Sequence, residues 1–136
     1  MRVSYLMSRS VTTIGQDATC LEAVDAMCRR KVRHLPVLAP DGALVGLVTD
    51  RDLRHRLFSS EVYSQIGKVP VRVLLRETPV RSIMSAPVRC IGPSAEVAEA
   101  AERMRRDKVG SLLVVEGRRV VGMLTEIDVL RSIAGA

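Results

Sequence analysis

The sequence predicts a mixed α/β protein made of two copies of one strand-helix-strand-strand-helix (βαββα) repeat. The stretch Val45-Gly46-Leu47-Val48-Thr49-Asp50-Arg51-Asp52-Leu53 returns as Val121-Gly122-Met123-Leu124-Thr125-Glu126-Ile127-Asp128-Val129, with glycine, threonine and aspartate in register. The apolar positions Cys20, Ala23, Val24 and Met27 fall at helical spacing, and Val97, Ala100, Ala101 and Met104 repeat the stripe. A period this long marks duplicated structural units rather than a solenoid.

Each element has a local cause. Val3 to Ser8 reads as a lead-in turn ending in Leu6-Met7-Ser8, and the β-branched run Val11-Thr12-Thr13-Ile14 as a short strand. Thr19-Cys20-Leu21-Glu22 is a capping box that opens the first helix, whose wet face takes Asp25, Arg29 and Arg30. Val32 to Leu38 is a strand signal interrupted by Pro36. Proline donates nothing to a ladder, so this strand is expected at an edge or beginning at the proline. Pro40-Asp41-Gly42 turns the chain into a hairpin with Leu44 to Val48, and Asp50 to Phe58 closes the repeat as a helix. Residues 59–80, with Gly67, Pro70 and Pro79 around the apolar run Val71 to Leu75, repeat nothing and form a linker that packs partly on the core.

The second repeat begins at Arg81, where Ile83-Met84-Ser85 mirrors Leu6-Met7-Ser8 and Val88 to Gly92 mirrors Val11 to Gly15. Ser111 to Val115 and Val120 to Leu124 form its hairpin around Gly117-Arg118. A last helix runs from Glu126 to about Ile133 and stops near Gly135. The expected domains are thus 1–58, a linker at 59–80, and 81–136.

Composition narrows the function. Of 136 residues 47% are hydrophobic, yet Trp is absent and there are only two Tyr and one Phe, so the core must be aliphatic. No apolar run reaches the ~18 residues of a membrane span, and the N-terminal residues lack the apolar core of a signal peptide, which makes a cytoplasmic protein the expectation. Cys20, Cys28 and Cys90 are an odd number without CxxC or paired histidine spacing, and His34 and His55 stand apart. Neither a metal site nor a disulfide framework is expected; small buried thiols are. The net charge of +6 points to anionic partners: nucleic acid, phosphorylated small molecules or an acidic protein surface.

The chemistry concentrates where the repeated strand runs into a helix. The first N–H groups of a helix have no partner within it and lie at the positive end of its dipole, which favours a phosphate there by ~0.3–1 kcal/mol. Asp52, one turn in, is poised to accept hydrogen bonds from two neighbouring hydroxyls such as those of a ribose. The alternative is that Thr49 and Asp52 make a plain capping box. The free backbone groups of an edge strand beside it could read the polar rim of a flat base such as adenine.

The ordered set of Met-Ser, short β stretch, capped helix, Arg33-His34-Leu35-Pro36-Val37 and Val45-Gly46-Leu47-Val48-Thr49-x-x-Asp52-Leu53, present twice, resembles the CBS domain, named after cystathionine β-synthase; two in tandem resemble a Bateman module. The resemblance implies two βαββα repeats packed as a pseudo-twofold, disc-like module, with up to two adenine-nucleotide sites in the cleft between repeats. Such sites hold AMP, ADP or ATP, or adenosyl compounds such as S-adenosylmethionine. Carried over by position, Asp52 binds the ribose diol and Thr49 a hydroxyl or phosphate. Thr13 and the backbone of Arg33, His34, Leu35 and Pro36 line the base pocket. Arg51, Arg54 and His55 face phosphate, because guanidinium groups match phosphate oxygens in a fork. The second site keeps Thr125 and Asp128 but replaces the Arg-His-x-Pro segment by Gly110, Ser111, Leu112 and Leu113, and Thr13 by Cys90. There Ile127 stands for Arg51, and Glu126 puts a negative charge near any phosphate, so binding is expected to be weaker or for a different ligand.

These features imply an energy-sensing regulatory module, a homodimer, with adenine nucleotide as regulatory ligand and no catalytic cofactor. The acid pairs Asp50 with Asp52 and Glu126 with Asp128 lack a neighbouring nucleophile, histidine or metal-ligand set, so an enzyme is not expected. Two rivals remain. Nucleic-acid binding would use the 21 Lys and Arg residues, but the chain offers almost no aromatic stacking platform. A ligand-free dimerisation scaffold would have no need of Asp52.

Overall fold

The computed structural model describes residues 1–57 and 70–135. Phe58, the expected end of the third helix, and residues 59 to 69, the first part of the expected linker, lie outside the described residues. The chain divides into two compact units, Thr12–Val88 and Met1–Val11 with Arg89–Ala136. Each holds one three-stranded sheet.

In the first unit β1 (Ile14–Gly15) pairs in parallel with β2 (His34–Leu38), which pairs antiparallel with β3 (Leu44–Thr49). Helix α2 (Cys20–Arg30) connects β1 to β2; α1 (Val3–Leu6), the lead-in turn wound into one helical turn, belongs to the second unit. Thr19 caps α2 by accepting from the amide of Glu22 at 3.1 Å, and Lys31 ends it in the left-handed region at φ 56°. The α2 stripe buries Cys20, Ala23 and Met27 against Leu35, Val37 and Val48, with Val24 partly covered. Cys28 is exposed, because it lies outside that stripe; of the expected buried thiols only Cys20 is fully enclosed.

After β3 the chain is α-helical over α3 (Asp50–Asp52) and then widens into a π-helical turn from Leu53 to Leu57. Leu53 and Leu57, four residues apart, share its buried face. Within the expected linker, α4 (Val71–Glu77) lies against α2 and buries Leu75.

Pro36 corrects the expectation of an edge strand, since β2 is the middle strand of its sheet. The neighbour on that side is short: β1 pairs only with Val37 and Leu38, so Pro36 stands one residue beyond its end. The second unit supplies the comparison. There β4 (Cys90–Ile91) pairs with Leu113 and Val114 of β5 (Ser111–Glu116), and the amide of Leu113 donates to the carbonyl of Arg89 at 3.2 Å. Pro36 occupies the place of Leu113 and has no such amide, so the ladder ends one residue earlier.

The second unit otherwise repeats the first, with α5 (Val97–Asp107), β6 (Arg119–Thr125) after the Gly117-Arg118 turn, and α6 (Glu126–Ala134). The register slips at the same place in both hairpins, between Val37 and Leu38 and between Val114 and Val115.

The two lead-in segments are exchanged between repeats. Met7-Ser8, at the start of the chain, docks on the second repeat's hairpin: the amide and carbonyl of Ser8 pair with those of Met123, both at 2.9 Å. Met84-Ser85 does the same for the first repeat, with Ser85 and Leu47 exchanging bonds of 2.8 and 3.0 Å. Val3 and Val80, each fully buried, anchor the segments in the two cores. The exchange explains the repeated glycine. A Cβ on Gly46 would collide with Met84 Sδ, and one on Gly122 would come within 2.8 Å of the Ser8 carbonyl.

Candidate functional site

The strand-to-helix corner of the first unit is held from three directions. Thr49 Oγ1 accepts from the amide of Asp52 and the amide of Thr49 donates to Asp52 Oδ2, both at 3.0 Å, so the capping box is complete. The amide of Asp50 donates to the carbonyl of Arg33 at 3.1 Å, and His34 lies opposite Thr49 in the ladder. Arg33, His34, Thr49, Asp50 and Asp52 therefore meet at one corner. Leu35 and Pro36 come with them, but their side chains are fully buried, which leaves only their backbone for any ligand. Thr13 is exposed and outside the ladder, next to the missing rung at Pro36.

Arg51, Arg54 and His55 are exposed on the helical stretch that carries Asp52. Arg54 Nη2 lies 3.8 Å from Asp50 Oδ2, which partly offsets the acid nearest the helix start. Asp52 has two further partners that the sequence did not reveal. The hydroxyl of Ser85 donates to its Oδ1 at 3.2 Å, and Arg56 Nε lies 3.8 Å from the same oxygen. Repetition of Met-Ser was the only signal for Ser85, and it did not say what the segment touches.

The second unit has the same corner with different surroundings. Thr125 and Asp128 form a complete box at 2.9 and 3.2 Å, and the amide of Glu126 donates to the carbonyl of Gly110 at 2.9 Å. Ser111 lies opposite Thr125, as His34 lies opposite Thr49, while Leu112 is buried. The Glu126 carboxylate sits over Gly110, with Oε1 3.5 Å from where a Cβ would be. Among the described residues no cation pairs with Glu126, because Leu130 stands where the first repeat has Arg54.

Cys90 is inside the ladder and half-buried, and burial pushes its thiol pKa up, with Arg103 opposing. It opens onto a pocket of about 440 Å³ lined by Arg89, Glu99, Arg103, Arg106, Asp107 and Leu112, among others. The pocket's charges are largely paired, Arg89 with Asp107 at 3.0 Å and Arg103 with Glu99 at 3.2 Å, while Arg103 Nη1 also donates to the Cys90 carbonyl at 2.6 Å. Such a wall is balanced, not a cationic cradle. Among the described residues no group of three His, Cys, Asp or Glu side chains could hold a metal ion, and no helix is long and apolar enough to cross a membrane.

A family model described as the CBS domain matches residues 3–59 and again 80–135. A CBS domain-containing protein of Dictyostelium discoideum is 36% identical over 129 residues, 94% of this chain and 88% of that protein. A homoserine O-acetyltransferase of Methanohalobium evestigatum is 30% identical over 96% of this chain, but the chain spans only 24% of that enzyme's length. Among solved structures, a CBS domain pair in complex with 5′-methylthioadenosine and S-adenosyl-L-methionine superposes with a TM-score of 0.80 at 23% identity, covering 99% of this chain and 97% of that one. A Methanocaldococcus jannaschii protein proposed as an archaeal homologue of g-AMPK gives 0.86 at 26% identity over 97% of this chain and 47% of its own.

Proposed function

The chain belongs to the CBS domain family, two repeats in tandem, and from that premise we propose that it is a regulatory module whose ligand is an adenine nucleotide or a related adenosyl compound. The ligand is held at the Thr49–Asp52 corner of the first repeat. One observation carries this reading. The Asp52 carboxylate, 14% exposed and fixed by the capping box, shares a short helical stretch with Arg51, Arg54, His55 and Arg56. The acid suits ribose hydroxyls, and the arginines suit phosphate. Thr13, exposed beside the unpaired edge at Pro36, and the backbone of Arg33 to Pro36 complete the base pocket.

The second corner binds more weakly or takes a less anionic ligand. Among the described residues Glu126 has no cationic partner, whereas Asp50 is offset by Arg54. The chain is no enzyme by itself in this reading, and where it resembles enzymes it matches a minor part of them.

A cytoplasmic homodimer follows as the assembled form. Helix α6 leaves Ile127, Leu130 and Ile133 exposed at 51%, 58% and 77%, an apolar stripe that a second copy would cover. Ligand occupancy is passed on as a change of shape or of dimer arrangement, which requires affinity to differ between two states.

Thermal-shift measurements over AMP, ADP, ATP, S-adenosylmethionine and NADH test the proposal. A ligand at ~100 times its Kd adds ~2.7 kcal/mol of stability, and Asp52→Ala abolishes that gain. A full gain in the Asp52→Ala protein would misplace the site. Stabilisation by DNA alone, lost steeply with salt, would favour a nucleic-acid partner, and no response to any compound would favour a scaffold.

A further inference from the structure

A carboxylate offers roughly four lone-pair positions, two on each oxygen. At Asp52 two are in use: Oδ2 accepts the Thr49 amide at 3.0 Å, and Oδ1 accepts the Ser85 hydroxyl at 3.2 Å. One position on each oxygen is left, which is what a vicinal diol needs to donate one hydroxyl to each. Arg56 reinforces the arrangement. Its Nε, 3.8 Å from Oδ1, is too distant for a hydrogen bond but sets a positive charge beside that oxygen. Its Nη1 donates to the carbonyls of Met84 at 3.2 Å and Ile83 at 3.4 Å, the backbone that delivers Ser85. Ser85 is in turn fixed to Leu47 by its own amide and carbonyl. Asp52 cannot turn without breaking the cap, the Ser85 bond and the Arg56 pair together.

Asp128 lacks this support. Its Oδ2 accepts the Thr125 amide, but among the described residues no side chain reaches Oδ1. Ser132 stands where the first repeat has Arg56, and it donates to the carbonyl of Val129 at 2.6 Å instead. Ser8, the counterpart of Ser85, is exposed.

We propose that Ser85 and Arg56 are positioning residues that hold Asp52 as a diol acceptor. The first corner, completed by a segment from beyond the linker, then discriminates ribonucleotides from 2′-deoxyribonucleotides, and the second corner does so weakly. The inference rests on reading the Thr49–Asp52 corner as an adenosine site.

Calorimetric titration of the full chain with AMP against 2′-deoxyAMP, and with ATP against dATP, gives the test as a ratio of Kd values. The intact protein prefers the ribo form of the pair it binds by roughly tenfold, the worth of one hydrogen bond to a charged acceptor. Ser85→Ala and Arg56→Gln each lower that preference several-fold by weakening the ribo form, while Ser85→Thr and Ser132→Ala leave it unchanged. A partly unfolded sample weakens both forms alike, so the ratio is insensitive to lost stability. An unchanged ratio in both Ser85→Ala and Arg56→Gln, or tighter ribonucleotide binding by Ser85→Ala, overturns the positioning role while leaving the adenosine site standing. If the intact protein binds none of the four nucleotides, or Asp52→Ala binds them as the intact protein does, the site reading fails and this inference fails with it.

Discussion

Ser85 and Asp52, 33 residues apart, are joined by a hydroxyl-to-carboxylate bond of 3.2 Å. The bond is half-covered and ends on a charged acceptor, so it contributes on the order of 1 kcal/mol to stability. A double-mutant cycle of Ser85→Ala with Asp52→Ala in urea measures this as a coupling of about that size. The matching cycle at Ser8 and Asp128 gives none, because no such bond exists there.

The glycines of the repeated motif predict a graded cost. Adding a methyl group in a close-packed contact costs ~1–3 kcal/mol when the neighbours cannot yield. At Gly46 the nearest atoms belong to the flexible end of Met84, and the Ser85 carbonyl is 3.2 Å away. At Gly122 the Ser8 carbonyl is only 2.8 Å away. Gly122→Ala therefore lowers the denaturation midpoint more than Gly46→Ala, and an equal loss would contradict the docking described above.

Cys20 ties stability to pH. Burial raises its thiol pKa from the ordinary 9.0 to about 11. The unfolded chain releases this proton from about pH 9 while the folded chain holds it, so its contribution is fully present below pH 9 and is lost progressively as pH rises to about 11. Cys20→Ala flattens that part of the stability-against-pH curve. At pH 8 a thiol reagent modifies exposed Cys28 long before Cys20.

The α6 stripe makes the assembly testable. Leu130→Asp or Ile133→Asp places a charge on the apolar face without touching the core, since both side chains are exposed. Light scattering after size exclusion then reads a dimer for the intact chain and a monomer for the variants, with unchanged helicity. A dimer that survives both substitutions would put the interface elsewhere.

What could be read from the residues divides by sequence distance. The Thr49–Asp52 and Thr125–Asp128 boxes, the α2 and α5 stripes and the Gly117-Arg118 hairpin depend on neighbours within a few positions, and all are present. Features set by distant partners were not readable. Pro36 pointed to an edge strand, but the shortness of β1 is what lets a middle strand carry it. Leu53 to Leu57 carries an ordinary helical pattern, and no local feature of it marks the π turn found there. Arg56 and Ser85 drew no attention at the candidate site, because neither their contacts nor the exchange of lead-in segments leaves a local mark.

That exchange has a consequence for how the polypeptide is made. Val3 donates its amide to Ala95, and residues 1–11 pack with those from 89 onward, so they have no home until residues past position 89 emerge. Pairings of such long range are slow to close. A cut within the linker would yield two fragments, each missing a strip of its own hydrophobic floor and each carrying the strip the other lacks, so they should refold as a complementing pair and not one by one.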